Sequence, residues 1–314
     1  MNVPRFQNNL LAWYDRSQRA LPWRKTRLPY RIWISEIMLQ QTRVAAVVDR
    51  YREFLKRFPD IGSLARARTS DVLAAWSGLG YYRRARSAHK TAKLLIAKHA
   101  GRFPRDYDRL RELPGIGEYT SAAIASIAFG LPHAVVDGNV RRVLDRVSEK
   151  RLRPKDFATR AQELLAPARP GDFNQAMMEL GAIVCTPEPK CGACPVFRDC
   201  ATRGRVSSSK RRPSAAKKNV DLMLVTKKDH VFLVRRPNWS NVMAGMWELP
   251  EDTDPTGSTY TVFRHSITNT NYVVSVRERA MQPPAKGKWM RVEALHEVAL
   301  TGLARKILRH AGML

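Results

Sequence analysis

Apolar residues recur at helical spacing through the first part of the chain. Leu10, Leu11 and Tyr14 fall on one face of a helix, and the run Leu94–Ile96 belongs to a second stretch of the same kind. Few positions alternate between β-branched and polar residues before about residue 183. This period predicts a region that is almost entirely helical.

The hydrophobic period changes near residue 219. Residues 201–218 contain Ser, Ala, Pro and seven basic side chains, with no acidic residue and no apolar face, so they read as an exposed linker. Beyond them the pattern predicts strands, a turn at 227–229 and a closing helix. We therefore expect a helical domain over 1–200, a basic linker over 201–218 and a small α+β domain over 219–314. The predicted strands are Val220–Val225, His230–Val234 and Tyr272–Val276, and the helix is Leu300–His310.

Composition and charge narrow the class of protein. A chain of 314 residues with 44% hydrophobic residues can fill a core in each of two domains. The net charge of +27 favours a polyanionic partner such as nucleic acid, although charge alone leaves a basic membrane-surface protein open. Because the sequence has neither a leader pattern nor a long apolar run, we expect a soluble, cytoplasmic protein that does not bind a membrane.

All four cysteines lie within a short stretch of the chain. They follow the spacing C-x5-C-x2-C-x5-C. Cysteines of an intracellular protein seldom form disulfides, so four crowded thiols indicate a structural zinc ion or an iron–sulfur cluster. The spacing alone does not choose between these two. The four residues are Cys185, Cys191, Cys194 and Cys200.

A glycine-containing turn precedes an alanine-rich apolar helix at LPGIGEYTSAAIASIAFG, residues 113–130. Gly115 and Gly117 allow a tight turn whose backbone N–H groups, with the helix N-terminus behind them, can hold a phosphate. Taken alone, the same letters also fit an ordinary loop between packed helices. The turn is therefore a candidate for sequence-independent binding of a nucleic-acid backbone.

Two carboxylates stand out by their neighbours. Asp137 sits between an apolar run and the helical pattern of VDGNVRRVLDR, where it would cap a helix whether or not it does chemistry. Glu36 lies among apolar residues in WISEIMLQQT, residues 33–42. A glutamate within a helix more often faces solvent. If it is buried, however, its pKa rises and it becomes a candidate general acid.

Four motifs and the cysteine segment resemble the MutY-type adenine DNA glycosylases, a branch of the helix–hairpin–helix superfamily that includes endonuclease III. The motifs are LPWR (21–24), WISEIMLQQT (33–42), GLGYYRRAR (78–86) and LPGIGEYT (113–120). The resemblance implies a mainly α core with a six-helix barrel over about 23–135 and a second lobe from 1–22 and 136–200. It also implies a 4Fe-4S cluster on the four cysteines. The family's usual first cysteine interval is one residue longer.

The resemblance assigns roles to individual residues. Glu36 would protonate the adenine, and Asp137 would stabilise the positive charge that develops on the sugar. Asn139 matches a residue that helps to hold this site. Tyr119 stands where bifunctional relatives carry a Schiff-base lysine, so the resemblance implies base removal with little or no strand cleavage.

Further residues match positions that contact DNA or the target base. The base must leave the double helix before either carboxylate can reach it. Gln41 and Tyr81 match the side chains that wedge into the duplex. Trp23, Arg24 and Gln175 match the lining of the adenine pocket.

The C-terminal segment RRPNWSNVMAGMWELPE, residues 235–251, resembles the Nudix-like domain with which this family recognises 8-oxoguanine. The acidic helix of Nudix hydrolases is absent, so the resemblance implies recognition without pyrophosphatase activity. The Phe-Ser-His tip of the family aligns with Ile267-Thr268-Asn269, which makes Thr268 and Asn269 candidate contacts to the damaged base.

The expected partner is double-stranded DNA with adenine opposite 8-oxoguanine or guanine, bound by a monomer. Two alternatives stay open at this point. One is an endonuclease III-like or mismatch-specific thymine glycosylase, against which Glu36 and Tyr119 argue. The other is a non-catalytic iron–sulfur protein that binds DNA, which would need no acid at residue 36.

Overall fold

A computed structural model describes residues 1–205, 216–237, 239–240, 243–254, 256, 258–267, 270–279 and 286–314. Two compact units divide the chain. The first contains Met1–Ala65 and Lys90–Lys210, and the second contains Arg66–His89 and Arg211–Leu314. The division at 1–200, 201–218 and 219–314 stays a prediction, because the helical stretch 66–89 is grouped with the C-terminal part of the chain.

The predicted helical period of the first part is confirmed. Asn2 caps the first helix by accepting a hydrogen bond from the Arg5 amide, and proline begins the second and eleventh helices, where its missing N–H costs nothing. A π-helical turn, Ile124–Ala128, continues the eighth helix. The helices are α1 (Val3–Ser17), α2 (Pro29–Leu39), α3 (Val44–Arg57), α4 (Ile61–Arg66), α5 (Thr69–Ala75), α6 (Arg83–His99), α7 (Tyr107–Arg111), α8 (Glu118–Ala123), α9 (Gly138–Val147), α10 (Asp156–Leu164), α11 (Pro170–Ile183) and α12 (Gly302–His310).

Two hydrophobic clusters organise the first unit. The larger one joins α1, α9 and α11, with Phe6, Val143 and Phe173 among its fully buried members. The smaller one joins α2 to α8, to the π-helical turn and to the segment that leads into α9. Its buried members are Ile32, Ala122, Ala123, Ile127 and Val135. Tyr119 and Met178 pack against this smaller cluster, and its elements carry the candidate catalytic side chains.

The C-terminal region forms a mixed sheet with one helix packed on it, which confirms the expected α+β class. The turn after the first strand places Lys228 at a φ of 53°. The strands are β1 (Ala216–Lys227), β2 (His230–Arg235), β3 (Trp247–Glu248), β4 (Thr261–Ile267), β5 (Thr270–Arg279) and β6 (Lys288–Arg291). The strand order is β3-β2-β1-β5-β4, β6 pairs with β2, and β1 runs parallel to β5.

The core of this region lies between the sheet and α12. Leu303, Ala304, Ile307 and Leu308 occupy one face of α12 and are buried against strand residues such as Val231. Their spacing is that of one helix face, as expected for an amphipathic helix on a sheet. In the part of the chain that the structure describes, a bilayer-spanning helix is absent.

Candidate active site

Glu36 lies on the buried side of α2, so the common solvent-facing interpretation is wrong for this residue. Its side chain is 4% exposed, and its Oε2 accepts a hydrogen bond of 2.6 Å from the Tyr119 hydroxyl of α8. Burial raises the pKa of Glu36 to about 7, and the negative charge of Asp137 adds to the rise. The Tyr119 hydrogen bond and the charge of Arg24 act in the opposite direction. Both protonation states are therefore accessible near neutral pH.

Asp137 is the N-cap of α9. Its Oδ1 accepts a hydrogen bond of 2.7 Å from the Val140 amide, and its Oδ2 accepts one of 3.2 Å from the Asn139 side chain. Burial raises the pKa of Asp137, while these donors and the charge of Arg142 hold that rise back. Asp137 can cap α9 and also take part in the candidate site. While it caps the helix, its charge still raises the pKa of both Glu36 and Tyr119.

Asn139 is itself held by Arg142. One Nη2 of Arg142 donates to Asn139 Oδ1 at 2.9 Å and to the Gly181 carbonyl at 2.6 Å, and its Nε donates to the Cys185 carbonyl at 2.8 Å. A Cβ added at Gly181 would lie 2.7 Å from the Cβ of Asn139, so α9 and α11 approach as closely as they do only because residue 181 has no side chain. Sequence reasoning missed Arg142 and Gly181.

Arg24 is fixed by a carboxylate that sequence reasoning also missed. Its two Nη atoms donate to Glu179 of α11 at 3.1 and 2.7 Å, and Arg19 makes a second pair with the same carboxylate. Burial opposes ionisation of Glu179, but these arginines outweigh it and lower its pKa to about 2. Trp23 is buried edge-on against the Tyr51 ring, with centroids 5.4 Å apart.

Helix α11 contributes two further side chains near this site. The Met178 sulfur lies 3.3 Å from the Tyr119 hydroxyl. Gln175 is half-buried one turn earlier on the same helix, and its contact with a base stays a prediction. A single helix thus positions Gln175, Met178 and Glu179.

The predicted glycine turn connects α7 to α8. Gly115 adopts a φ of 78°, which is the left-handed region that glycine enters without a steric penalty. Gly117 is the N-cap of α8, and the Thr91 hydroxyl donates to the Pro114 carbonyl at 2.6 Å. Ile116 is buried and anchors the turn. The turn therefore presents backbone amides from a fixed position.

The two predicted wedge residues share an unusual backbone conformation. Gln41 has a φ of 55° and Tyr81 a φ of 48°, although neither is glycine. Gln41 is exposed, and Tyr81, within the second unit, is 41% exposed with the Arg84 guanidinium 5.2 Å from its ring centroid. Left-handed non-glycine residues are rare and concentrate at functional sites.

The four cysteines line one cavity, together with Arg146 and Gly204. All four are half-buried, and Arg146 donates to the Cys185 sulfur at 3.3 Å. Burial and the other three thiols raise the pKa of Cys194 to about 11. Across the described residues, no three acidic, histidine or cysteine side chains are arranged to hold a single metal ion.

The last two predicted contacts, Thr268 and Asn269, lie outside the described residues. They follow β4, which ends at Ile267, and precede β5, which begins at Thr270. Their contact with a damaged base stays a prediction.

Comparisons with known proteins identify the class of this chain. Residues 34–167 match the HhH-GPD superfamily of base excision DNA repair proteins. A solved thermostable thymine-DNA glycosylase is 30% identical and covers 65% of this chain and 97% of its own, with a TM-score of 0.60. An endonuclease III–DNA covalent intermediate shares the fold at 22% identity, covering 65% of this chain and 98% of its own, with a TM-score of 0.57. The class is that of helix–hairpin–helix base excision repair proteins.

Curated relatives narrow this class. A Buchnera aphidicola (subsp. Baizongia pistaciae) adenine DNA glycosylase is 36% identical over 77% of this chain and 71% of its own length. The Rattus norvegicus adenine DNA glycosylase is 38% identical over 82% of this chain and 62% of its own length. The chain belongs to the adenine DNA glycosylase family. It spans 40% of the human relative and 62% of the rat relative.

Proposed function

We propose that this protein is an adenine DNA glycosylase that removes adenine opposite 8-oxoguanine or guanine from double-stranded DNA. One observation carries the proposal: Glu36 is buried, its pKa is raised to about 7, and it is paired with Tyr119 beside Asp137. A general acid works best when its pKa lies near the working pH. Membership of the adenine DNA glycosylase family supports adenine as the base that is removed.

Glu36 begins the reaction as the protonated acid. It transfers its proton to N7 of the extruded adenine, which turns the base into a neutral leaving group, and the resulting carboxylate then assists the attacking water. Tyr119 donates to Oε2 and holds the carboxyl group in one orientation throughout. The same environment therefore serves both the acid and the base form of this residue.

Asp137 stabilises the oxocarbenium-like sugar as the glycosidic bond breaks. The Val140 amide and the Asn139 side chain fix both of its oxygens before the charge develops, so no reorganisation is required during the step. Tyr119 cannot form an imine with the sugar, which makes the enzyme monofunctional.

DNA binding combines the turn, the wedges and the pocket. The amides at Gly115 and Gly117 hold a backbone phosphate, and Gln41 in the first unit and Tyr81 in the second each act as a wedge residue in the duplex. Trp23, Arg24 and Gln175 then enclose the adenine. The net charge of +27 predicts binding that weakens strongly with salt.

A 4Fe-4S cluster on Cys185, Cys191, Cys194 and Cys200 fits the donor set. The four thiols face one cavity, and the guanidinium of Arg146 beside the Cys185 sulfur suits a thiolate. A bound cluster would cross-link the segment that follows α11. Iron and sulfide analysis, with a yellow-brown absorption, would distinguish it from zinc.

The α+β region recognises the base opposite the adenine, through a Nudix-like fold without pyrophosphatase activity. Its mixed sheet and the helix α12 are compatible with such a fold. Thr268, with its hydroxyl, and Asn269, with its amide, are the proposed contacts to 8-oxoguanine. The enzyme acts as a monomer on one lesion at a time.

Single-turnover excision tests the proposal. Duplexes that hold adenine opposite 8-oxoguanine, guanine or thymine are incubated with excess protein, and the products are run on gels with and without alkali. Strand breaks that appear only after alkali, and only for the first two duplexes, are the expected result. Glu36→Gln in the same assay links the activity to the site.

The thymine-DNA glycosylase likeness gives a second candidate, a mismatch-specific thymine glycosylase. A duplex with thymine opposite guanine tests it directly. Thymine release without adenine release would replace the proposed function. Binding without release of either base would favour the non-catalytic iron–sulfur protein, and breaks that form without alkali would favour an endonuclease III-like enzyme.

A further inference from the structure

Asn174 is a buried amide at the start of α11 whose contacts lie on the segment that leads to Asp137. It is 2% exposed. Its Oδ1 accepts a hydrogen bond of 3.0 Å from the Val135 amide, and its Nδ2 donates to the His133 carbonyl at 2.8 Å. The Nδ2 also donates to the Ser126 hydroxyl at 2.9 Å. A single side chain thus satisfies donors and acceptors on two different elements.

The two backbone contacts have the pattern of a neighbouring strand. A carboxamide presents one acceptor and two donors, so it can pair with an extended chain as a peptide group would. Val135 is fixed in the same place by its burial against Ile32 and Ile127. Asp137 follows Val135 by two residues, so a shift of the Val135 backbone moves the carboxylate.

Helix α11, which carries Asn174, packs closely on the π-helical turn. A Cβ added at Gly171 of α11 would lie 2.7 Å from the backbone of Ser126 and Ile127, so α11 rests directly on the π-helical turn. Ser126 in turn donates to the Ala122 carbonyl at 2.7 Å. Helix α11 and the π-helical turn therefore fix the position of the Asn174 amide. The amide in turn binds the backbone of the segment that leads to Asp137.

We propose that Asn174 is a positioning residue for Asp137 in the excision step. This inference rests on the proposed function. It assigns to Asn174 the placement of the carboxylate against the sugar, and no contact with the base or the proton. Loss of the amide lowers the rate of bond breakage but leaves DNA affinity unchanged, and it shifts the pH midpoint set by Glu36 only slightly, because burial is the largest cause of that raised pKa. Misplacement of a catalytic group by about 1 Å can cost about 100-fold in rate.

The test compares Asn174→Ala with Phe173→Leu on the full chain. Phe173 is the neighbouring residue of α11, buried in the larger cluster against Phe6, so its substitution also loosens α11 but removes none of the Asn174 hydrogen bonds to His133 and Val135. Measured quantities are the single-turnover excision rate over a range of pH, the Kd for the adenine:8-oxoguanine duplex, the Tm, and hydrogen exchange of the Val135 amide. Asn174→Ser serves in place of the alanine variant if that variant does not fold.

We expect Asn174→Ala to lower the rate by about 10- to 100-fold with Kd within twofold, a pH midpoint close to that of the parent and faster exchange at Val135. Phe173→Leu is expected to lower the Tm with little effect on the rate. A parental rate in Asn174→Ala, or an equal loss in Phe173→Leu, overturns the inference. Absence of excision by the parent chain would instead overturn the proposed function, and the exchange at Val135 would still report whether Asn174 holds the segment.

Discussion

The two catalytic candidates are carboxylates that differ in burial and in what surrounds them, since Glu36 is buried and Asp137 is half-buried. Glu36 sits on a mostly apolar helix and receives a hydrogen bond from the Tyr119 phenol, and its pKa is raised to about 7. Asp137 sits at a helix N-terminus and receives one backbone and one side-chain donor. Those donors limit the rise in the pKa of Asp137. Burial thus suits Glu36 to carry a proton, whereas partial exposure and its donors suit Asp137 to remain charged.

This difference follows from general rules for carboxylates. Desolvation penalises the charged form, while donors and a helix N-terminus favour it. Enzymes that need an acid and an anion together use pairs of carboxylates in environments that separate their pKa values. The contrast between Glu36 and Asp137 can be tested by substitutions that remove the proposed role of each carboxylate but keep the shape of its side chain.

Glu36→Gln should produce the largest effect. The amide keeps the size of the side chain but has no acidic proton, and loss of a positioned general acid typically lowers a rate by about 10²- to 10⁴-fold. The measurement is single-turnover adenine excision at neutral pH. Glu53→Gln is the matched control, because Glu53 is exposed on α3 and pairs only with Arg50 of its own helix among the described contacts. Near-normal excision by Glu36→Gln would remove the acid from the mechanism.

Asp137→Asn should come second. Asparagine is as good an N-cap as aspartate, so α9 keeps its cap while the site loses its negative charge. We expect a loss of about 10²- to 10³-fold in the excision rate, the range found when one electrostatic stabiliser is removed, with little change in Tm. Equal losses of rate and Tm would mean that capping is the main role of this residue.

The sequence identified the candidate catalytic residues more readily than the residues that hold them in position. Glu36, Tyr119 and Asp137 lie in motifs that a family resemblance can identify, and the helical and strand periods predicted both regions of the fold. Glu179, Asn174 and Arg142 lie in segments that the pattern and the resemblance cover, but neither assigned a role to these three residues. The available signal was a polar residue on a buried helix face, as in FNQAMMELG of α11.

Other features of the fold could not be predicted from the hydrophobic period of one segment. The π-helical turn at Ile124–Ala128 lies within an alanine-rich run that predicts ordinary helix, and the grouping of 66–89 with the C-terminal part depends on contacts between distant segments. The close approach at Gly181 is similar, because one glycine in a helix gives no sign of which residue will contact it. Such contacts are properties of the packed chain.

Tyr119→Phe should shift a pH profile more than it lowers a rate. The Tyr119 hydrogen bond lowers the pKa of Glu36, so its loss should raise that pKa above about 7. The protonated acid is the active form at the start of the reaction, so the excision rate should fall at a higher pH than in the parent. Single-turnover rates between pH 5 and 9 give the two midpoints. A midpoint that moves to lower pH would contradict the assignment of this limb to Glu36.

The smallest expected effect is on stability. Glu36→Gln should raise the stability of the protein although it lowers the excision rate. Folding raises the pKa of Glu36 from 4.5 to about 7, so the folded protein holds this proton where the unfolded chain has lost it. Below pH 4.5 both states are protonated and burial of the group carries no ionisation penalty. The penalty grows as pH rises and is complete above about 7.

Glu36→Gln should therefore stabilise the protein at pH 8 but not at pH 4.5. One pKa unit corresponds to about 1.4 kcal/mol, which places the gain at about 1–3 kcal/mol, because the amide retains part of the Tyr119 contact but also needs partners of its own. Urea unfolding of parent and variant at the two pH values measures the difference. A gain that is equal at both values would reflect packing and not ionisation. A gain confined to pH 8 would show that the acid is kept in a place where its charge is unfavourable, as a residue selected for proton transfer requires.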